Sequence, residues 1–143
     1  NPCREPVRIL VDWIVDGDTF FGQINGVEGS EAKEKIRIIG VNSPELSSDD
    51  CYAQEAKNFL IRQISNKWVW LTFDGECYDQ FDRTLAYVHL GTNEQDFVER
   101  QILLGGYAFA FPFDDTDTFE NEFAADEVTA EANGAGGWSE CGW

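Results

Sequence analysis

The sequence predicts an α+β fold in which a small β-barrel of five strands carries packed α-helices. Segments that alternate apolar and polar residues predict the strands. Segments with apolar residues at helical spacing lie between the third and fourth strands and after the fifth. The 143 residues, of which 43% are hydrophobic, are enough for one substantial core. No internal repeat or low-complexity linker divides them, so we expect a single domain over residues 1–143.

Alternation at period two locates the strands. In the first strand, Val7, Ile9, Val11 and Trp13 recur at this period, as in a half-buried strand. Turn residues separate each strand from the next, and Pro44 follows the third strand because proline cannot continue a ladder of backbone hydrogen bonds. The predicted strands cover residues 7–13, 19–24, 36–39, 68–73 and 84–90.

Helical spacing locates three helices. Ala53, Ala56, Leu60 and Ile64 fall on one helical stripe, with charged residues between them. The predicted helices cover residues 53–64, 96–103 and 119–132. The second helix stops before a pair of glycines, which is typical of a helix end. A barrel of five strands with helices in these places fits the OB-fold.

The net charge, considered alone, argues against binding to nucleic acid. The chain has 27 acidic and 10 basic residues, and its formal net charge is -17. Because Lys and Arg hold phosphate backbones, a domain of this charge is expected to repel a polyanion at long range. An acidic surface can also reflect solubility in a salty milieu, where long-range repulsion is screened.

The cysteines favour disulfides over a metal site. Four cysteines without a CxxC spacing, together with the single His89, do not supply the paired ligands of a structural zinc site. Two disulfides indicate an oxidising compartment, so we expect a secreted or periplasmic protein rather than one in a reduced cytosol. The chain begins at Asn1 and has no methionine, so we expect that an initiator was removed with a signal peptide or in preparing the chain. No apolar run approaches the roughly 20 residues that span a bilayer, so no membrane association is expected.

Several common catalytic arrangements are excluded. Catalysis by a Ser/His/Asp or Cys/His arrangement would depend on His89, which lies in an alternating strand and is interpreted as a half-buried structural histidine. No glycine-rich pattern for nucleotide phosphates occurs in the chain.

Three short motifs carry the residues that could perform chemistry. They read VDGDT at residues 15–19, IRIIGVNSPE at residues 36–45 and DQFDRTLAY at residues 79–87. Taken singly, each has an ordinary structural interpretation as a turn, a solvent-facing arginine or a surface ion pair. In particular, alternation directs Arg37 away from the core side, because Ile36 and Ile38 flank it.

In this order and at this spacing, the motifs resemble the staphylococcal nuclease (thermonuclease) family. The resemblance covers residues 7–138 and includes Gly106-Tyr107-Ala108 and Gly137-Trp138-Ser139. It implies a five-stranded OB-fold barrel with three α-helices. It also implies a calcium-dependent nuclease that cleaves DNA and RNA with little sequence preference and leaves 3′-phosphate ends.

The resemblance also implies residue roles. Arg37 and Arg83 would bind the phosphate, because a guanidinium offers it a planar fork of donors. Glu45 would orient or deprotonate the attacking water. The residues implied for Ca2+ are Asp18, Asn42 and the backbone carbonyl of Ser43, and those implied for substrate stacking are Phe81 and Phe113.

Departures from the family pattern support an alternative function. Asn42 replaces the usual aspartate, which should lower calcium affinity, and Gln80 and Phe81 replace a lysine and a tyrosine. The alternative is a catalytically weak or inactive acidic binding module for a basic protein or a cation. The presence of Arg37, Glu45 and Arg83 favours the nuclease, and nothing suggests an obligate partner, so we expect a monomer.

Four cysteines allow three pairings. The helix at residues 53–64 and the following strand should run antiparallel across a short connection, which would bring Cys51 near Cys77. We therefore predict Cys51–Cys77 and, by elimination, Cys3–Cys141.

Overall fold

The computed structural model describes residues 2–24, 33–111 and 118–143. The strands are β1 (Val7–Asp16), β2 (Thr19–Ile24), β3 (Lys33–Ile38), β4 (Gly40–Asn42), β5 (Trp68–Thr72), β6 (Thr84–His89) and β7 (Phe109–Phe111). The helices are α1 (Ala53–Ile64), α2 (Val98–Leu104), α3 (Glu120–Ala132) and the short α4 (Gly137–Glu140), with a 3-10 turn at Glu94–Asp96. Within these ranges, no helix has the length and apolar character needed to cross a membrane.

A closed barrel in the order β1-β2-β3-β6-β5 forms the centre of the fold. Its neighbours pair antiparallel except β3 and β6, which run parallel with Arg37 opposite Leu85. The five-stranded barrel predicted from alternation is confirmed. The parallel pairing also places the strand that carries Arg37 beside the strand that begins immediately after Arg83.

Apolar residues of the strands and helices form one core. On α1, the predicted stripe of Ala53, Ala56, Leu60 and Ile64 is buried. At an order of 25 cal/mol per Å² of apolar surface removed from water, this stripe holds α1 against the barrel. Barrel residues with no solvent exposure are Ile9, Phe20, Ile36, Ile38, Leu71, Ala86 and Val88.

Irregularity in β1 reverses the expected orientation of Trp13. The register with β2 shifts between Val11 and Trp13, as in a β-bulge. The extra residue changes the alternation, so Trp13 is 62% exposed and Ile14 takes the buried position. Trp13 instead stacks on Phe21 of β2, with ring centroids 5.3 Å apart.

A small second sheet, absent from the sequence prediction, continues the chain after β3. Strands β4 and β7 pair antiparallel with Val41 opposite Ala110. Gly40 adopts a φ of 90°, and a Cβ built there would lie 2.3 Å from the Phe123 ring of α3. Only glycine fits this bend, which ends the barrel strand β3 and begins β4.

Both disulfides form, but the predicted pairing is wrong. The bonds are Cys3–Cys77 and Cys51–Cys141, with Cα atoms 5.8 and 5.9 Å apart. The antiparallel pairing of β1 with β5 sets Val7 opposite Leu71, so residues before β1 lie beside residues after β5.

Contacts of the two chain ends support the same correction. The N–H of Cys3 donates to the carbonyl of Asp74 at 2.7 Å. At the other end of the chain, Trp143 packs edge-on against Tyr52 beside the start of α1, next to Cys51. The prediction failed because it considered only the helix and the strand nearest in sequence.

Candidate active site

The turn between β1 and β2 contacts the segment after β4 at one end of the barrel. The N–H of Ser43 donates to Oδ2 of Asp18 at 2.9 Å. Gly17, between two aspartates, allows this approach, because a Cβ at position 17 would lie 2.8 Å from the Cβ atoms of both Ser43 and Ala56. Gly17 of the Asp-Gly-Asp sequence therefore allows the turn to pack closely against Ser43 and Ala56, in addition to reversing the chain.

Asp18 and Arg37 form a buried ion pair. Both residues are 4% exposed, and Oδ2 of Asp18 lies 3.4 Å from Nη2 of Arg37. Nη1 of Arg37 donates to the carbonyls of Ile38 and Val41 at 2.6 and 2.8 Å, while the hydroxyl of Thr19 donates to Oδ1 of Asp18. These bonds hold the guanidinium and the carboxylate in fixed positions.

The environment of Arg37 corrects the expectation of a solvent-facing arginine. The alternation of β3 is as predicted, since Ile36 and Ile38 are buried in the barrel. The face of β3 that carries Arg37 is also covered, by the turn between β1 and β2 and by β4. Burial lowers the pKa of Arg37, the nearby positive charge of Arg83 acts in the same direction, and Asp18 opposes both. The guanidinium is thus a desolvated charge that interacts strongly with a neighbouring anion.

Arg83 is positioned by Asp79. Nε of Arg83 donates to Oδ2 of Asp79 at 2.7 Å, and the Arg83 N–H donates to Oδ1 at 3.0 Å. Burial would raise the pKa of Asp79, but the N–H groups of Arg83 and Phe81 and the guanidinium lower it overall. Because Asp79 engages Nε, the two terminal nitrogens of Arg83 form no hydrogen bond within the described part of the chain. They can therefore form a two-pronged contact with phosphate.

Three carboxylates interact beside the arginines. The pKa of Asp16 is raised to about 7, first by burial and then by the charges of Asp18 and Glu45. Glu45 is exposed in a loop that closes on itself, with the Glu45 N–H donating to Asp50 at 2.9 Å. An acidic cluster of this kind favours a cation, because a cation relieves the mutual repulsion.

The chemistry of the donor set fits a hard cation. Asp18, Asn42 and Ser43 offer carboxylate, amide and backbone carbonyl oxygens, and the buried Oγ of Ser43 has no hydrogen-bond partner. Oδ1 of Asn42 lies 3.5 Å from Nη2 of Arg37. Among residues 2–24, 33–111 and 118–143, no three acidic, His or Cys side chains converge into a complete metal cage. A bound cation would therefore complete its ligand shell with backbone oxygens and water.

The structure brings most of the predicted residues to one end of the barrel. Phe81 is 69% exposed, and its ring lies 5.4 Å from Cζ of Arg83. Phe113 lies outside the described residues. His89 is a half-buried strand residue, as the sequence predicted, and it shares a hydrogen bond with Thr72.

Asp79 and Asp16 have the local roles that their positions in a loop and a turn suggest, and each has a further effect on the site. Asp79 caps its loop and pairs within it, and the partner of that pair is the guanidinium of Arg83. Asp16 accepts from the N–H of Asp18 in the turn, and its raised pKa depends on burial that the sequence does not display.

Comparison with known proteins indicates the same family as the sequence motifs. A family model described as staphylococcal nuclease homologue matches residues 35–140. The thermonuclease of Staphylococcus intermedius is 37% identical over 86 residues, covering 57% of this chain and 48% of the relative. The thermonuclease of Staphylococcus hyicus is 35% identical over 82 residues, covering 54% and 46%.

A further relative is matched over more of its length. The uncharacterized protein MJ1439 of Methanocaldococcus jannaschii is 28% identical over 148 residues, covering 88% of this chain and 69% of the relative. By contrast, the chain spans about half the length of each thermonuclease. Because the family model covers most of the chain and the barrel agrees with it, this protein belongs to the family of staphylococcal nuclease homologues.

Proposed function

We propose that the chain is a divalent-metal-dependent nuclease that hydrolyses phosphodiester bonds of DNA and RNA with low sequence specificity. The observation that carries the proposal is the pair of arginines beside an acidic cluster. Arg37 and Arg83 are close enough for the charge of one to lower the pKa of the other. Two neighbouring guanidiniums repel each other, and a phosphate between them would offset the repulsion.

The two arginines have different parts in the proposed reaction. Arg37 is held through Nη1, so its contribution is a fixed positive charge for a nonbridging oxygen of the phosphate. Arg83 is held through Nε, and its terminal nitrogens stabilise charge on the phosphate and the leaving oxygen. Preorganised donors of this kind act in the transition state without reorganisation.

Glu45 is the proposed general base. It would accept a proton from the water whose oxygen attacks phosphorus, while the bond from phosphorus to the 5′ oxygen breaks, the 5′ oxygen takes a proton from solvent, and a 3′-phosphate is left. The loop bond between Glu45 and Asp50 holds the backbone at this position while the side chain stays accessible to water.

Asp18, Asn42 and the backbone carbonyl of Ser43 are the proposed calcium ligands. Calcium, when bound, would polarise the phosphate. The residues of this chain hold the ligands in place, because Thr19 and the N–H of Ser43 fix the Asp18 carboxylate and Gly17 lets the turn approach Ser43.

An acidic binding module is the second candidate function. It is favoured by the net charge of -17 and by Asn42, Gln80 and Phe81 in place of the family's usual residues. Such a module would bind a basic protein or a cation at the same cleft without hydrolysis.

Cleavage of single-stranded DNA and RNA, with calcium or with chelator, separates the two functions. We expect calcium-dependent cleavage, and Arg83→Ala should reduce kcat by about 10²–10³-fold, as for removal of one transition-state donor. Arg62→Ala on the exposed face of α1 is the matched control and should cleave normally. Absence of cleavage at every salt concentration, or cleavage unaffected by Arg83→Ala, would overturn the nuclease.

We further propose that the protein acts as a monomer outside the reducing cytosol. Both disulfides support this placement, because such bonds persist in oxidising compartments. Alkylation of the isolated native protein without reductant, followed by intact mass measurement, should detect no free thiol. Four alkylated cysteines would contradict the placement.

A further inference from the structure

A second aromatic surface lies on the outer face of the barrel at β5. Trp68 and Trp70 are 39% and 44% exposed, whereas the intervening Val69 points into the core. In the pairing of β1 with β5, Arg8 lies opposite Trp70. Its Cζ lies 4.7 Å from the ring centroid of Trp68 and 5.9 Å from that of Trp70. We name Arg8, Trp68 and Trp70 the tryptophan platform.

Arg8 differs from the other arginines of the chain in what it contacts. Arg4, Arg37, Arg83 and Arg100 each pair with a carboxylate, and Arg62 lies over one phenylalanine ring, whereas Arg8 lies over two indole rings. Arg8 is exposed and pairs with no carboxylate among the residues that the structure covers. Its guanidinium rests on indole rings, so its donors remain accessible to an anion from solvent.

A pocket of about 470 Å³ adjoins the platform at Trp70. Phe97 and Phe119 form aromatic walls, and the hydroxyl of Thr72 shares a 2.9 Å hydrogen bond with Nε2 of His89. Burial lowers the pKa of His89, so the imidazole is neutral at neutral pH. Glu94 and Arg100 also line the pocket, and because they form an ion pair at 3.7 Å their charges offset each other. Aromatic walls with the neutral hydrogen-bonding groups of Thr72 and His89 suit a flat, uncharged, heteroatom-bearing ring such as a nucleobase.

We propose that the tryptophan platform is an accessory binding surface for single-stranded nucleic acid. Bases stack on Trp68 and Trp70, a phosphate contacts Arg8, and one base enters the adjoining pocket. This inference rests on the proposed nuclease function, because it names a second contact for the same substrate. The platform is separate from the active site: Trp70 pairs with His89 at the end of β6, whereas Arg83 precedes the start of that strand.

The net negative charge of the protein favours binding of nucleic acid by stacking over binding by a cationic surface. A chain with a net charge of -17 lacks the general cationic surface by which nucleases attract phosphate. Stacking on an aromatic ring strengthens binding by about 5- to 150-fold per base and needs no positive surface. With one phosphate contact at Arg8, the logarithmic salt slope for this surface is expected to be only about -0.7.

Fluorescence anisotropy of labelled oligothymidylate in chelator measures this binding without cleavage. The Arg83→Ala variant serves as the background, so that active-site binding is weakened. We expect Trp70→Ala or Trp68→Ala to weaken binding about tenfold or more, and Trp70→Phe to retain most of it because the ring is kept. Trp13→Ala, which removes the exposed tryptophan stacked on Phe21, is the matched control and should bind normally.

The results distinguish the platform from the nuclease. Binding that is unaffected by both Trp68→Ala and Trp70→Ala, or weakened equally by Trp13→Ala, overturns the platform whatever the activity of the wild type. If the wild type cleaves no nucleic acid but binding still depends on Trp70, the platform is supported and only the nuclease function is overturned. Quenching of tryptophan fluorescence by a neutral chito-oligosaccharide, without any effect of oligothymidylate, overturns nucleic acid as the ligand and assigns the surface to glycans.

Discussion

Removal of either disulfide tests how the candidate active site is supported. Cys77 precedes the turn that holds Asp79 and Arg83, and Cys51 follows the loop that holds Glu45. Each bond therefore ties one loop of the proposed active site to a distant chain end. We expect Cys3→Ser/Cys77→Ser and Cys51→Ser/Cys141→Ser each to lose both stability and activity.

The expected loss of stability follows from the lengths of the closed loops. Sequence separations of 74 and 90 residues correspond, by the loop-entropy relation, to about 4.4 and about 4.6 kcal/mol. The two double variants should therefore be destabilised almost equally. Because a domain of this size is stable by about 5–15 kcal/mol, each should still fold, whereas loss of both bonds, about 9 kcal/mol together, should remove most of that stability.

Urea unfolding at pH 7, followed by tryptophan fluorescence, measures the free energy of unfolding of each variant. Wild-type protein unfolded with reductant should match the variant lacking both bonds. A loss below about 1 kcal/mol for either bond, or a difference above about 2 kcal/mol between them, would refute the entropic reasoning. Under conditions where both variants are folded, reduced kcat with an unchanged midpoint of unfolding would instead identify local loosening of the catalytic loop.

Three further predictions concern charge. Asp16 has a raised pKa of about 7, so between about pH 4 and pH 7 its carboxyl group keeps a proton in the folded protein and loses it in the unfolded chain. The free energy of unfolding therefore falls as pH rises through this range. In chelator, urea unfolding should show that Asp16→Asn gains stability over the wild type as pH is raised from about 5 to about 8. Asp12→Asn, which removes a carboxylate with a lowered pKa, should show no such gain. A difference in stability between Asp16→Asn and the wild type that does not change with pH would contradict the assignment. Asn42→Asp restores a negative charge at the proposed metal site and should raise calcium affinity about tenfold by calorimetry, and unchanged affinity would argue against Asn42 as a ligand. Because repulsion by a net charge of -17 reaches about 30 Å at 0.01 M salt, cleavage should be slow at low ionic strength and faster at moderate salt; a rate that falls steadily from 0.01 M upward would contradict this.

Local patterns in the sequence determined the elements and their order. Period-two and helical spacing report which side of a segment is apolar, and that property is local to the segment. The five barrel strands and α1 could be predicted in this way, and the spaced motifs carrying Arg37 and Arg83 were sufficient to indicate the family.

Only the tertiary structure decided what covers each surface and which distant segments meet. The side chain of Arg37 leaves the barrel as alternation predicts, yet it is buried because β4 and the turn before β2 cross over it. Trp13 is exposed because a bulge in β1 changes the register.

The Cys3–Cys77 pair depends on barrel closure, which sets the chain before β1 beside the chain after β5, and the Cys51–Cys141 pair depends on the packing of the C-terminal end against the start of α1. These outcomes share one physical reason. Burial and disulfide pairing depend on contacts between residues far apart in sequence, and no local periodicity records them.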